Sequence, residues 1–363
     1  MKIGILIKKV DHIFTNGCVQ QSFFILNILR NCAFDVEFIS KDETYSQYEL
    51  SNEKITHISD SFDFSNFNVI LLGSGMLHTT DTKLVENIKT HCVKVIHLVC
   101  GNYYYLFQED FVFNVHAEML QIMNVYHDEI WVLEMYASHK SFLELIFDVP
   151  VTIMPYDWTP YFIKSFITMK ALPLLDFECR KPMNREKINI CIFEPNVSIH
   201  KNSFIPLHIA NRYYELYGER LHRVYLFCSK YEMRRGTRSL SICKDNKIEF
   251  LGKHIMLEMV DLIMKNNDYI NVVVSHNINN NLNFIHLEFL HLGIPCIHNS
   301  EPFATNQLYY SDEMNAISLI EKTRLTFDLK SYRDLASNMI KKYDDKNHEH
   351  IEKYSYQYKK SIM

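Results

Sequence analysis

Residues 275–300 read SHNINNNLNFIHLEFLHLGIPCIHNS, and no other stretch of the chain says as much about the fold. Three valines at 272–274 precede it as a buried strand, and the asparagines that follow favour a loop and a helix N-cap. Apolar residues then recur at helical spacing, namely Leu282, Ile285, Phe289 and Leu292. Gly293 suits a left-handed helix C-cap, and Pro295 separates the helix from a second strand. The stretch predicts a strand, a loop, a helix that contains Glu288, and another strand.

Predicted strands and helices alternate along the whole chain. The first group of strands covers residues 3–7, 36–39, 69–72, 93–99, 130–133 and 151–154. The second group covers residues 188–193, 224–228, 248–251, 272–274 and the strand after Pro295. Four prolines interrupt the alternation within residues 155–185, which we interpret as a connection between domains. The predicted fold class is α/β, with two Rossmann-like, doubly wound parallel-sheet domains, residues 1–180 and 181–345, facing a cleft.

The composition fits a globular protein without a nucleic-acid or membrane partner. The chain has 363 residues and a mass of 43.1 kDa, with 47% hydrophobic and 22% charged residues. A net charge of -5 gives no basic surface for nucleic acid, and the apolar runs are too short to span a membrane. We therefore predict a cytoplasmic protein. The nine cysteines form no Cys-x-x-Cys pair and the histidines form no His-Glu-x-x-His motif, which predicts reduced thiols and no metal site.

Glycines follow several predicted strands, at the end of the sheet where open α/β folds bind their ligands. A glycine there lets the backbone approach a ligand closely. An ordinary turn explains any one of them equally well, but the set favours ligand binding. These residues are Gly17, Gly73, Gly75, Gly101 and Gly252. Asn16 and Gly17 lie close to a helix N-terminus, which suits a phosphate or the approach of an acceptor.

Glu288 and the residues after it resemble a motif of the retaining glycosyltransferases with the type-B (GT-B) fold, family 4 in particular. That motif is Glu, seven residues, Glu, then Ala-x-Ala-x-Gly-x-Pro, and Glu288, Gly293 and Pro295 fall in register with it. Asn280 stands in the place of the first Glu. The resemblance implies that Glu288 lies near the nucleotide ribose of the donor and Asn280 near its sugar. Asparagine can hydrogen-bond a sugar hydroxyl but contributes no anion.

A second loop resembles the part of the same family that holds the donor diphosphate. The family has an Arg there and a Lys five residues later, and this chain has Asn196 and Lys201. A cation near a helix N-terminus is suited to a diphosphate, although without the resemblance a lone Lys would be a surface residue. Where the family often places the nucleobase, this chain has Gly252 and Lys253. A plain surface charge explains Lys253 equally well.

Three further matches extend the resemblance over essentially the whole chain. Asn102, after Gly101, stands where the family often has a His that faces the donor sugar. The segment PYDWTP at 155–160 matches a group of bacterial and viral glycosyltransferase-like proteins, among them the virus-encoded ones of chlorella viruses. The same group is matched, on the donor side, by His298, Asn299 and Ser300. In this fold a terminal helix commonly crosses back onto the first domain. The resemblance implies that residues 346–363 form this helix.

The resemblance implies a retaining glycosyltransferase that needs no metal and no other cofactor. It would move a hexose to a glycan or glycoprotein acceptor, with GDP-mannose as the first expected donor and a UDP-sugar as the second. The donor would bind to the second domain and the acceptor to the first. The residues expected to carry catalysis are Lys201, Glu288, Asn280 and Asn102. The chain also lacks an Asp-x-Asp motif, which holds the metal and the diphosphate in the other main glycosyltransferase fold.

Two other classes of function stay open. An NAD-dependent oxidoreductase can also have two nucleotide-binding units, but the first predicted strand is not followed by Gly-x-Gly-x-x-Gly. A sugar-binding module that has lost catalysis fits the replacement of charged motif residues by Asn196 and Asn280. The sequence is silent on the acceptor, the linkage and the oligomeric state, so a homodimer also stays open.

Overall fold

The computed structural model describes residues 1–15, 17–113, 122–170, 184–196, 198–228, 237–252, 255–265, 268–279, 283–304 and 307–362. The chain divides into two compact units. The first unit combines Met1–Thr159 with Lys341–Met363, and the second is Pro160–Ile340. The chain therefore leaves the first unit once, forms the second, and returns to complete the first.

The first unit is built on a parallel sheet, in which the described residues form seven strands in the order β3-β2-β1-β4-β5-β6-β7. The strands are β1 (Lys2–Leu6), β2 (Asp35–Ser40), β3 (Ile55–His57), β4 (Phe67–Leu72), β5 (Lys94–Val99), β6 (Glu129–Leu133) and β7 (Val151–Met154). The helices are α1 (Gly17–Asn31), α2 (Thr82–Thr90), α3 (Tyr103–Phe113) and α4 (Lys140–Phe147), together with the C-terminal helix. The central strands are runs of buried aliphatic residues, as a sheet covered on both faces requires.

The C-terminal helix belongs to the first unit, where it packs on α1. Its buried residues reach the segment after β7: the His350 Nδ1 atom lies 2.6 Å from Asp157 Oδ1, and the Tyr354 hydroxyl donates to the Pro155 carbonyl. The Tyr358 ring lies 4.3 Å from the Phe34 ring, beyond the end of α1. The first two contacts span 193 and 199 residues, and the third joins the two ends of the first unit's sequence.

The second unit has its own parallel sheet, with five strands among the described residues in the order β10-β9-β8-β11-β12. The strands are β8 (Asn184–Ile192), β9 (Leu221–Leu226), β10 (Ile248–Phe250), β11 (Tyr269–Val274) and β12 (Cys296–Ile297). The helices are α5 (Tyr161–Lys170), α6 (Phe204–Tyr217), α7 (Ser241–Lys244), α8 (Met256–Lys265), α9 (Phe284–Leu292), α10 (Glu313–Thr326) and α11 (Leu329–Lys341). The C-terminal helix of the first unit is α12 (His348–Ile362).

Each sheet has a switch point. There the chain has placed strands on one side of the first strand of the unit and begins to place the next strands on its other side. In the first unit β1 lies between β2 and β4, and in the second β8 lies between β9 and β11. Open α/β sheets bind ligands beyond the carboxyl ends of the strands at such a point. The topology therefore gives each unit one expected ligand position.

The fold class predicted from the sequence is confirmed: both units are α/β with parallel sheets. The structure adds β3, an edge strand of three residues that is too short to show an alternating pattern. It also adds α3, which begins inside the tyrosine run that follows Asn102. The division into compact units falls at Thr159/Pro160 and Ile340/Lys341, whereas the sequence placed its boundaries at 180/181 and 345/346. Helix α5 accounts for part of the difference, because it precedes the predicted boundary and yet belongs to the second unit.

Candidate functional site

Three adjacent strands of the second sheet bring polar residues together at their carboxyl ends. Glu194 follows β8, Ser275 follows β11 and His298 follows β12, and these strands are neighbours in the sheet. All three residues are buried, at 1–3% exposure. Because all the strands are parallel, their carboxyl ends meet at one edge, and this edge is the switch point of the second unit.

The Ser275 hydroxyl is the centre of a hydrogen-bond network. It donates to Glu194 Oε1 at 2.6 Å, and the Asn277 Nδ2 atom donates to it at 3.3 Å. The His286 Nε2 atom, from α9, lies 3.2 Å from the same oxygen. A serine hydroxyl has one hydrogen and two lone pairs, so with its hydrogen directed at Glu194 it accepts from both other groups. His286 then carries its proton on Nε2 and has an acceptor at Nδ1.

Five buried polar atoms around this network have no hydrogen-bond partner among the described residues. They are Glu194 Oε2, Asn277 Oδ1, His286 Nδ1, His298 Nε2 and Ser300 Oγ. A buried polar atom without a partner costs about 1–3 kcal/mol, and folded proteins contain few of them. Five at one strand edge indicate a site whose partners come from a ligand.

The two histidines of the network are neutral at physiological pH. Burial lowers the pKa of His298 to about 3, and burial together with the neighbouring His298 and Lys201 lowers the pKa of His286 well below its usual value. Their rings lie 4.9 Å apart in a stacked arrangement. The Ser300 backbone N–H donates to His298 Nδ1, so the remaining proton of that ring is on Nε2. His298 therefore presents a donor, and His286 an acceptor.

Two buried carboxyl groups of the second unit, Glu194 in the network and Glu288 on α9, have raised pKa values. Burial raises the pKa of Glu194 to about 7, while the Ser275 hydrogen bond and the charge of Lys201 act in the opposite direction. Burial alone raises the pKa of Glu288 to about 8, and its side chain has no hydrogen bond or ion pair with any described residue. Both groups are therefore poised to change protonation near neutral pH when a ligand brings charge or hydrogen-bond donors.

The helix that carries His286 and Glu288 is fixed at both ends by the residues the sequence indicated. Asn283 is its N-cap and accepts a hydrogen bond from the Ile285 N–H, and Gly293 is its C-cap with a left-handed φ of 64°. A Cβ on Gly293 would lie 2.9 Å from Leu329, so the close approach of α11 also requires glycine. The helix is buried on nearly every side, which explains why Glu288 is out of solvent.

Some of the residues predicted for donor binding have structural tasks. The Asn196 side chain accepts from the Ser203 N–H and hydroxyl and donates to the Glu194 and Cys228 carbonyls, so its hydrogen-bonding capacity is used within the loop. Asn299 accepts from the Asn277 N–H and donates to the Asn277 carbonyl, which holds the loop after β11 in place.

Other predicted residues are differently placed. His298 and Ser300 have unpaired atoms in the network, and Lys201 is close enough to influence the pKa of both Glu194 and His286. A Cβ on Gly252 would meet none of the described residues within 4 Å, so no close approach among them requires a glycine there. Asn16, Lys253 and Asn280 lie outside the described residues.

The residues predicted for the first unit lie at the ends of its strands. Asn102 is buried and caps α3, where its Oδ1 accepts from the Tyr105 N–H. Gly17 begins α1. A Cβ on Gly75 would lie 2.8 Å from Leu6 and 3.0 Å from the Ile7 backbone, so this glycine allows the loop after β4 to pack on β1. Gly101 has no such constraint, since a Cβ there would meet only Tyr103, at 4.0 Å.

The sequence interpretation passed over four members of the network: Glu194, Ser275, Asn277 and His286. His286 lies within the predicted helix, the other three follow predicted strands, and Glu194 directly precedes Pro195. A polar residue immediately after each of two neighbouring parallel strands was the signal that could have found Glu194 and Ser275. Among the described residues, no group of three or more His, Cys, Asp or Glu side chains is placed to hold a metal ion.

Comparisons of the sequence with known families and proteins give one match. A family model described as "Protein of unknown function (DUF2827)" matches residues 2–357. A comparison with curated protein sequences finds no match. Among the helices that the structure describes, none has both the length and the apolar character needed to cross a membrane.

Several solved glycosyltransferase structures have the same fold over the full chain. A glycosyltransferase from Rickettsia africae is 13% identical, with 99% of this chain and 98% of that one covered and a TM-score of 0.57. An alpha-glucosyltransferase in complex with UDP and a 13-mer DNA is 13% identical, with 100% and 99% covered and a TM-score of 0.55. A structure described as trehalose-6-phosphate from E. coli bound with UDP-2-fluoro glucose is 10% identical, with the same coverage and a TM-score of 0.53. At identities this low, the structural likeness shows that the fold is shared, and this fold is GT-B.

Proposed function

The chain belongs to the DUF2827 family, and from this premise and the geometry of the second unit we propose that it is a glycosyltransferase that takes its sugar from a nucleoside diphosphate donor. The donor binds at the switch point of the second sheet, on the network around Ser275. The five unpaired polar atoms of this network are the observation that carries the proposal.

The unpaired atoms match a ligand that has several hydroxyl groups. Asn277 Oδ1 and His286 Nδ1 accept, His298 Nε2 donates, and the Ser300 hydroxyl does both. A sugar hydroxyl both donates and accepts, so one ring can satisfy groups of both kinds at once. In this proposal Glu288 accepts from the ribose hydroxyls of the nucleotide, as the family resemblance implies.

Lys201 supplies the positive charge that the leaving diphosphate needs. It is the motif cation that this chain keeps, since Asn196 replaces the Arg and uses its side chain as a cap. Negative charge on the diphosphate increases as the bond to the sugar breaks, so a fixed ammonium stabilises the transition state more than the bound donor. Lys201 also lies near Glu194, and a bound diphosphate would favour the protonated form of that carboxyl group.

We propose a UDP-sugar as the first donor to test and GDP-mannose as the second, which reverses the order expected from the sequence. Two structures with the same fold are described with UDP or with UDP-2-fluoro glucose. The retaining outcome stays a proposal that rests on the resemblance to family 4, and independence of a metal stays one that rests on the lack of His-Glu-x-x-His and Asp-x-Asp motifs in the sequence. The likeness to the chlorella virus proteins likewise stays a prediction.

A non-catalytic sugar-binding module is the second candidate, and the side chain of Asn196 favours it. An Arg in this loop would add a second cation for the diphosphate, whereas this amide only holds the loop together. A module would bind a nucleotide sugar at the same network without releasing the nucleotide. Turnover therefore separates the two candidates.

The test is to incubate the protein with UDP-glucose or GDP-mannose, with and without EDTA, and to measure the release of free nucleotide. We expect binding and release with at least one donor, and no loss with EDTA. Binding without release, even with a range of acceptors, would leave the module as the better description. Loss of nucleotide binding in EDTA would contradict the metal-free proposal.

A matched pair of serine variants tests whether the network holds the sugar. Ser300→Ala should weaken binding of the nucleotide sugar by roughly fivefold, the size of one hydrogen bond, and leave the affinity for the free nucleotide unchanged. Ser318→Ala, on the exposed face of α10, is the control and should change neither affinity. Calorimetric titration of both variants with both ligands gives the answer. Equal losses for the nucleotide and the nucleotide sugar in Ser300→Ala would place Ser300 away from the sugar.

A further inference from the structure

The first unit has a cavity at its own switch point, and lysines line it. Its volume is about 550 Å³, and its walls include Leu6, Lys8 and Lys9 after β1, Lys41 after β2, and Ser74 and Gly75 after β4. These strands are neighbours in the sheet, with β1 at the centre. A volume of this size is typical of a site for a small molecule.

The charges around the cavity are positive in excess. Lys41 pairs with Asp81 at 2.7 Å, and the Lys9 ammonium donates to the Thr44 hydroxyl at 3.1 Å and lies near Asp42. The Lys8 ammonium has no hydrogen bond or ion pair with any described residue, while its backbone N–H donates to the Ser74 hydroxyl. Three lysines and one carboxylate, Asp42, line the cavity, and Asp81 offsets the charge of Lys41, so the net charge is about +1 in a chain that has 43 acidic and 38 basic residues overall.

We propose that this cavity binds the anionic group of a small sugar acceptor, either a phosphate or a carboxylate. Lys8 is the main contact, because its ammonium has no partner among the described residues, and Lys9 adds to the positive potential, whereas the charge of Lys41 is offset by Asp81. A phosphate or carboxylate forms charge-assisted hydrogen bonds with ammonium groups, which are stronger than those to a neutral hydroxyl. The acceptor class thus narrows from any glycan to a sugar that carries a negative charge.

The inference rests on the proposed function in one respect, which is that the ligand is called a sugar acceptor. Binding of an anion to the cavity is a property of the first unit alone and is measured without a nucleotide sugar. The two ideas therefore fail separately. Anion binding without sugar transfer would keep the site and overturn the transferase, and transfer to a neutral acceptor that is insensitive to Lys8 would do the reverse.

The experiment titrates the full chain with glucose, glucose 6-phosphate, glucuronate and inorganic phosphate, and follows the Ser74 and Gly75 amide signals by NMR. We expect the three anions to shift these signals, with affinities that fall as salt is added, and glucose to have little effect. Lys8→Gln should weaken anion binding by about tenfold, the effect of losing one charged hydrogen bond. Lys83→Gln, on the exposed face of α2, is the control and should bind as the unmodified chain does.

Three outcomes would overturn the proposal. The first is that glucose binds as tightly as glucose 6-phosphate. The second is that none of the anions shifts the Ser74 and Gly75 signals at millimolar concentration. The third is that a short single-stranded oligonucleotide binds the cavity far more tightly than any sugar anion and loses that affinity in Lys8→Gln, which would identify a nucleic acid as the ligand.

Discussion

The two switch points have the same topology and different chemistry. At β8/β11 the polar groups are buried, and five of their atoms have no partner among the described residues. At β1/β4 the charged groups are lysines that face an open cavity, and Gly75 packs the neighbouring loop onto β1. Parallel sheets thus determine where a ligand binds, while the residues after each strand determine which ligand it is. The contrast predicts that substitutions at the two places differ in their effect on the free energy of unfolding and in the way that this effect depends on pH.

The largest expected effect is on stability, through the buried carboxyl group of Glu288. Its pKa in the folded protein is about 8, above its ordinary value, so between pH 4.5 and 8 the unfolded chain loses this proton first. Stability therefore falls as pH rises through this window, and the full penalty is present above pH 8. Glu288→Gln should remove it and stabilise the protein by roughly 2 to 4 kcal/mol at pH 9, with little gain at pH 4.5.

Urea unfolding of the unmodified chain and of Glu288→Gln at both pH values measures this difference. Lys8→Gln is the matched variant of the first unit and should change stability by no more than about 0.5 kcal/mol at either pH, because its ammonium faces the cavity without a partner among the described residues. The same Glu288→Gln variant should bind the free nucleotide about tenfold more weakly. A change in stability that is the same at both pH values would mean that it does not come from ionisation of a buried carboxyl group.

The next effect concerns catalysis. Lys201→Met should lower kcat by about 100-fold, or roughly 2.7 kcal/mol, and weaken nucleotide binding much less, because the charge it stabilises is greatest in the transition state. Lys244→Met, at the exposed end of α7, is the control for the loss of a lysine in the same unit. Steady-state rates and calorimetric titration separate the two quantities. A loss of nucleotide affinity with kcat unchanged would mean that Lys201 holds the bound donor and does not act in the transition state.

The smallest effect compares two glycines that follow strands. A Cβ on Gly75 would press on the Leu6 side chain and on the Ile7 backbone at 2.8–3.1 Å, whereas one on Gly252 would meet no atom of the described part of the chain within 4 Å. Gly75→Ala should therefore destabilise the first unit by about 1 to 2 kcal/mol, and Gly252→Ala should leave the second unit within about 0.5 kcal/mol of its original stability. Thermal unfolding tests the pair, and similar shifts for both variants would contradict the contrast.

The sequence predicted the architecture well because its strands are long apolar runs separated by helices of regular spacing. The strand at Val151–Met154 and the helix at Met256–Lys265 have the bounds that the pattern gave them. The three-residue strand β3 was missed, because an alternating pattern needs more residues than that to be visible.

The site was predicted less completely than the fold. The motif located Glu288, and it drew attention to His298 and Ser300 through their neighbours in the sequence. It did not find Glu194, because a carboxylate after a strand is common and its burial depends on the packing of three strands. It also gave Asn196 a role in donor binding by its register, whereas the hydrogen bonds that occupy this amide come from residues up to 32 positions away. Spacing in a sequence places a residue on a helix, strand or loop, but it does not show which residues the side chain will contact.

The return of the chain to the first unit has a consequence for its synthesis. Cys32 contacts the Ile351 carbonyl across 319 residues, and Tyr354 and Tyr358 are fully buried in the first unit. A ribosome that adds about 5 to 20 residues each second needs roughly 15 to 60 s to pass from one of these contacts to the other. The second unit is one uninterrupted segment of the chain, while the first unit stays incomplete, with the surface of α1 uncovered, until α12 has been made. The part of the protein that is made first is thus the part that is finished last.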